Sequence, residues 1–65
     1  MKTWSPEEIL AFRRAYRLTM KALGERVGVD ALSVYRWEKG MRTPSKTVKI
    51  LLSMIEKELK RKRKS

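Results

Sequence analysis

The chain has 65 residues, no cysteine and no histidine, and a formal charge of +10 from 17 Lys and Arg against 7 Asp and Glu. This length leaves room for one small core and none for an enzyme-sized pocket. The composition excludes disulfides, thiol or histidine catalysis and the usual zinc sites.

The positive excess points to a polyanionic partner, nucleic acid before an anionic membrane surface, because the acids are too few to pair the bases. The plain alternative is a highly charged solubilising surface. No apolar run approaches a membrane span, and MKTWSPEEIL lacks the apolar core of a signal peptide. The expectation is one soluble cytoplasmic domain over residues 1–65, with no metal, cofactor or membrane partner and no enzymatic activity. The seven acids form no metal cluster or acid–base pair.

Met1 to Trp4 reads as a short arm. Ser5-Pro6-Glu7-Glu8 then opens a helix: Ser5 caps it, Pro6 suits the first helical position and Glu8 completes a capping box. Trp4, just before the cap, is placed to fold back as a hydrophobic staple. Ile9, Phe12, Ala15 and Tyr16 mark a buried stripe, with Arg13, Arg14 and Arg17 around it. The helix is expected over about Pro6 to Tyr16.

Leu18 to Pro44 reads as two short helices joined by a tight turn, about Met20 to Val27 and Ala31 to Lys39. Thr19 and Asp30 are their caps, and the Asp30 carboxylate also suits the positive end of a helix dipole. Gly28 sits where a left-handed backbone is needed. Leu23, Val27, Val29, Val34 and Trp37 point the pair at one shared contact. Gly24 lies where the second helix crosses the first at close range, as a helix-turn-helix requires. The free face of the second helix carries Ala31, Leu32, Tyr35 and Arg36, the part able to enter a DNA major groove.

Gly40-Met41-Arg42-Thr43 reads as a connection. Thr43-Pro44 restarts a helix, with Thr43 as cap and Pro44 at the first position. Val48, Leu51, Leu52, Ile55 and Leu59 share one face, so one long helix is expected to about Lys60, with a break near Ser53 as the alternative. Ile50 and Met54 widen that stripe beyond what a small domain covers, which suggests a second subunit. Ile50, Met54, Ile55 and Leu59 are the expected dimer interface. Residues 60–65 form a basic run expected to fray, either a solvated tail or a salt-sensitive phosphate contact.

Each exposed candidate has two readings. Arg36 can bond guanine O6 and N7 together, worth about 1–3 kcal/mol against a wrong base, or it can hold a phosphate or water. Ala31 and Leu32 can touch a thymine methyl, and Leu32 can instead pack in the core. Tyr35 can meet the sugar-phosphate edge. Lys39, Arg42 and Lys46 can hold phosphates, which position without reading sequence, or be surface charge. Arg14 and Arg17 are weaker candidates for the same role.

The residues Phe12-Arg13, Leu18-Thr19, Leu23, Gly28-Val29, Ser33-Val34, Arg36-Trp37-Glu38-Lys39-Gly40 and Arg42-Thr43-Pro44-Ser45 resemble the lambda-repressor-like (Cro/C1 or XRE) helix-turn-helix family. RWEKGMRTPS is the most specific piece, and the whole chain looks like the DNA-binding domain of MqsA-type and HigA-type antitoxins. The resemblance implies an all-α bundle of four to five helices with a long C-terminal helix. It implies a structural ion pair between Arg13 and Glu38. It puts base contacts at Ala31, Leu32, Tyr35 and Arg36. Phosphate contacts fall at the start of the second helix, Thr19, Met20 and Lys21, and in the loop Lys39 to Arg42. Met20 stands where the family usually has a phosphate-bonding Gln.

The function these features imply is sequence-specific binding of double-stranded DNA by a transcription regulator, as a repressor dimer on an inverted repeat. The competing readings are an antitoxin that also binds a toxin protein, a non-specific nucleic-acid-binding protein, and a membrane-surface binder acting through the basic last helix.

Overall fold

A computed structural model describes residues 2–63, and side chains as far as residue 62. Four helices follow in order: α1 (Pro6–Ala15), α2 (Met20–Val27), α3 (Ala31–Glu38) and α4 (Lys46–Arg63). The fold is all-α, a four-helix bundle of the lambda-repressor-like kind with a long last helix. No helix among the described residues is long and apolar enough to cross a membrane.

The first three helices begin where their caps dictate. Ser5 and Glu8 form the full capping box, the Ser5 N–H donating to Glu8 Oε1 at 2.8 Å and the Glu8 N–H to Ser5 Oγ at 3.2 Å. The Ala22 N–H donates to Thr19 Oγ1 at 3.0 Å, and the Ser33 N–H to Asp30 Oδ1 at 2.9 Å. Each such bond satisfies an N–H that the first turn of a helix otherwise leaves unpaired.

α4 departs from expectation at both ends. It starts at Lys46, and Ser45 rather than Thr43 is its cap: the Val48 N–H donates to Ser45 Oγ at 3.3 Å. Pro44 precedes that cap and is buried. The far end runs on as helix through Arg63 and does not fray at Lys60. Glu58 and Lys62 pair across one turn at 3.7 Å, and cations at a helix C-terminus complement its dipole. No break occurs at Ser53. Lys64 and Ser65, the rest of the expected tail, lie outside the described residues, as does Met1 of the arm.

One core joins the helices: Trp4, Ile9, Phe12, Leu23, Val27, Val34, Trp37, Val48 and Leu52 are all buried. Tyr16, Leu18, Met20, Val29, Leu51, Ile55 and Leu59 pack against it, half-buried. Ala15, assigned to the buried stripe, is exposed, because α1 ends there and the chain turns away. That turn puts Arg17 at φ 54, a left-handed conformation without glycine.

Trp4 does more than staple α1. Its ring meets Phe12 edge-on at 5.4 Å, while its indole N–H reaches across to Ser53 Oγ on α4 at 3.0 Å. Lys2 pairs with Glu56 of α4 and lies 5.0 Å from the Trp4 ring centroid. The arm therefore ties α1 to α4.

Candidate nucleic-acid interface

The α2–α3 unit owes its shape to a tight turn. Gly28 ends α2 at φ 79 and its N–H bonds Gly24 O. The Val29 N–H bonds the same carbonyl at 2.8 Å. A Cβ on Gly24 would stand 2.6 Å from Val29 O and 3.1 Å from Asp30 O. The close approach that requires glycine there is thus to the turn leading into α3, not to the middle of α3.

The unit is locked to α1 by a polar fork. Arg13 Nε donates to Glu38 Oε2 at 2.6 Å and Nη2 to Glu38 Oε1 at 3.0 Å, while Nη1 reaches Leu18 O at 3.1 Å. The Glu38 side chain is 4% exposed and that of Arg13 18%. The carboxylate raises the Arg13 pKa against the opposing effect of burial, so the guanidinium stays charged. A bidentate guanidinium–carboxylate pair fixes orientation as well as distance. One side chain on α1 thereby sets the last residue of α3 and the residue that leads into α2.

On the outer face of α3, Leu32 is 50% exposed and Tyr35 40%. Leu32 is therefore not a core residue, whereas Trp37 and Val34 are. Ala31 and Arg36 are half-buried beside them. These four positions share a face by their spacing. The Arg36 charge helps hold the Asp30 carboxyl below its ordinary range, after the larger effects of the Ser33 hydroxyl and N–H. Lys39 lies with its ammonium 5.7 Å from the Tyr35 ring centroid, an arrangement in which the ring's negative face steadies the cation.

The cations expected to meet phosphate divide by how they are presented. Lys21, Lys39, Arg42 and Lys46 are exposed, as is the Thr19 cap. Met20 packs its side chain against the core; what it offers outward is the N–H of a first helical position, which has no intrahelical partner. The loop after α3 turns through Gly40 at φ 73. There the Gly40 N–H bonds Trp37 O, and the Met41 and Arg42 N–H groups both bond Arg36 O. Those three amides satisfy the end of α3, which leaves the Lys39 and Arg42 side chains as the loop's exposed cations.

Among the described residues, five large apolar side chains are exposed, and they fall into two sets. Leu32, Tyr35 and Met41 lie on α3 and the loop behind it; Ile50 and Met54 lie on α4. The sequence pattern marks four of them, Leu32, Tyr35, Ile50 and Met54, but not Met41, which at 65% exposure is the barest.

The Helix-turn-helix family model matches residues 9–55, a span that covers both members of the Arg13–Glu38 fork and the whole α2–turn–α3 unit. The chain belongs to the Cro/CI-type helix-turn-helix family. No curated protein matches it. This helix-turn-helix chain is a DNA-binding regulatory domain and not a catalytic fold. No group of acids among its described residues could hold a metal ion. The match ends at Ile55, so the last turns of α4 lie beyond it.

Proposed function

We propose that this helix-turn-helix domain is a sequence-specific repressor that binds double-stranded DNA as a homodimer. The exposed Leu32–Tyr35 face of α3, with Arg36 beside it and Lys21, Lys39, Arg42 and Lys46 all exposed, carries the reading. In this reading α3 enters the major groove. Arg36 reads a guanine, Ala31 and Leu32 meet thymine methyls, and Tyr35 stands against the sugar-phosphate edge. Thr19, the Met20 N–H, Lys21, Lys39, Arg42 and Lys46 hold phosphates and set register.

A symmetric dimer places two α3 helices about one DNA turn apart over an inverted repeat. Ile50 and Met54 supply its apolar contact, being exposed at 41% and 61%. Ile55 and Leu59 also lie on α4, but they pack against their own chain's core and support the interface from behind. Asp substitutions therefore belong at Ile50 and Met54, where they leave the monomer's core intact.

Selection of bound sequences from a random duplex library tests the whole reading. The expected result is an inverted repeat with a G·C pair flanked by T in each half-site. Arg36→Ala should relax preference at that G·C pair, and the Ile50→Asp, Met54→Asp double variant should sediment as a monomer with weaker operator binding. Binding that does not distinguish selected from random DNA would leave only the non-specific reading. The likeness to MqsA-type and HigA-type antitoxin domains supports a second reading, in which the domain also binds a toxin; the bare Ile50–Met54 strip gives such a partner room. Co-purification of a small endonuclease-like protein tests it.

A further inference from the structure

A groove of about 830 Å³ runs along α4 where it passes the last turn of α2. Leu51, Met54 and Ile55 line it with apolar surface, and Arg26, Lys57 and Arg61 with charge. Glu58 and Lys62 complete the lining and pair with each other. The lining thus holds four cations and one carboxylate, and that carboxylate is already engaged. Arg26, Lys57 and Arg61 form no salt bridge with any described residue. From Leu51 to Lys62 the helix runs about 16 Å, or three turns. Of the groove's cations, Lys57, Arg61 and Lys62 lie beyond the family-matched residues 9–55, and Arg26 lies within them.

We propose that this groove docks an acidic amphipathic helix of a partner protein. Apolar side chains of that helix at spacings of three and four would lie on Leu51, Met54 and Ile55, and its carboxylates would meet Arg26, Lys57 and Arg61, the helix-in-groove mode of recognition. Charge complementarity selects this occupant. A second copy of the chain lying in the groove would bring the same four cations to the same place; Met54 is the one residue the groove shares with the Ile50–Met54 dimer contact proposed above. A nucleic-acid backbone would answer the charge, but it has no use for an apolar lining. No residue of α3 or of the loop behind it lines the groove, so the DNA-reading face stays open while the groove is filled. The inference does not rest on the repressor reading.

The test uses the full chain and three probes: a synthetic helix-favouring peptide with Leu on one face and Glu on the other, a scrambled peptide of the same composition, and a random-sequence duplex. The ordered peptide should bind saturably and shift the amide resonances of Arg26, Leu51, Met54 and Ile55 while leaving those of α3 in place. Its affinity should fall steeply with salt. The R26Q/R61Q variant should lose roughly tenfold or more in affinity. K49Q/K60Q, an equal charge loss outside the groove, should lose little. Equal binding of the scrambled peptide overturns the proposal, as does equal damage from K49Q/K60Q. So does a fall in duplex binding specific to R26Q/R61Q, which would make the groove a phosphate contact.

Discussion

Between Thr19 and Gly40 the chain holds itself together with neighbours close in sequence, whereas α4 is held from the opposite end of the molecule. Thr19 and Asp30 cap their helices three residues on, and Gly24 accepts the two N–H bonds that fold the turn. From outside, α1 packs on α3 and its Arg13 bonds Glu38 and Leu18 O. α4 packs on α2, but its other flank is secured by Trp4 and Lys2, bonded to Ser53 and Glu56 some fifty residues later. The contrast separates two jobs. The angle between α2 and α3 is built in locally, as a reading head requires. The direction of α4, and with it any dimer geometry, depends on a contact that forms only when the two ends of the fold meet.

The largest expected effect tests the Arg13–Glu38 lock on the α2–α3 unit. Arg13→Ala leaves the Glu38 carboxylate buried without its partner, which should cost roughly 3–5 kcal/mol. A chain of this size has on the order of 3–10 kcal/mol in all, so urea denaturation should show roughly a third or more of its stability gone. A loss under about 1 kcal/mol, the range of an exposed pair, would mean that the fork is not a lock.

Trp4→Ala probes the other half. Removing a fully buried Trp side chain should cost about 3 kcal/mol or more. Hydrogen exchange should then show α4 amides losing protection ahead of those in α2 and α3. Uniform loss across all four helices would erase the contrast between the halves. Ser53→Ala removes only the acceptor of the indole N–H and should cost about 1 kcal/mol.

A smaller effect concerns where α4 begins. Ser45→Ala should lower stability by about 1 kcal/mol, as loss of a cap does. Thr43→Ala should stay within about 0.5 kcal/mol, as surface changes do. The reverse order in thermal melts would return the cap to Thr43.

The mildest test is pH. Bonds from the Ser5 N–H and the Thr3 hydroxyl hold the Glu8 carboxyl below its ordinary range, and those from the Ser33 hydroxyl and N–H do the same for Asp30. Carboxylates lowered by folding contribute fully above their unfolded pKa, and the contribution fades as pH falls through the lower folded value. Stability should therefore be flat near neutrality and decline below the usual carboxylate range. Glu8→Gln and Asp30→Asn should each flatten that decline, one for the arm-and-α1 side and one for α3.

Much of this was legible in the residues. Caps and glycines act within a few positions, so Ser5, Thr19, Asp30 and Gly28 announced three helices with boundaries correct to a residue. Ser45 did not announce itself, because Thr43-Pro44 offers the same cap chemistry two residues earlier and only the path of the loop separates them. Arg17 at φ 54 was hidden because nothing in an arginine signals a left-handed turn. On the interface, spacing correctly put Leu32 and Tyr35 outside. It did not show that Met20 turns inward, or that the loop amides of Gly40, Met41 and Arg42 are consumed by the end of α3.

Sequence alone settled what needs only short range: helix content, caps, the turn, the charge and the exposed face of α3. The tertiary structure decided what depends on distant groups arriving together. Trp4 finds Ser53, Arg13 finds Glu38, and Arg26 comes beside the basic end of α4 to make a groove. Apolar periodicity says that a residue is buried but not against what, because the hydrophobic effect has no direction. Partners across the fold are chosen by geometry, and geometry exists only once the chain has closed on itself.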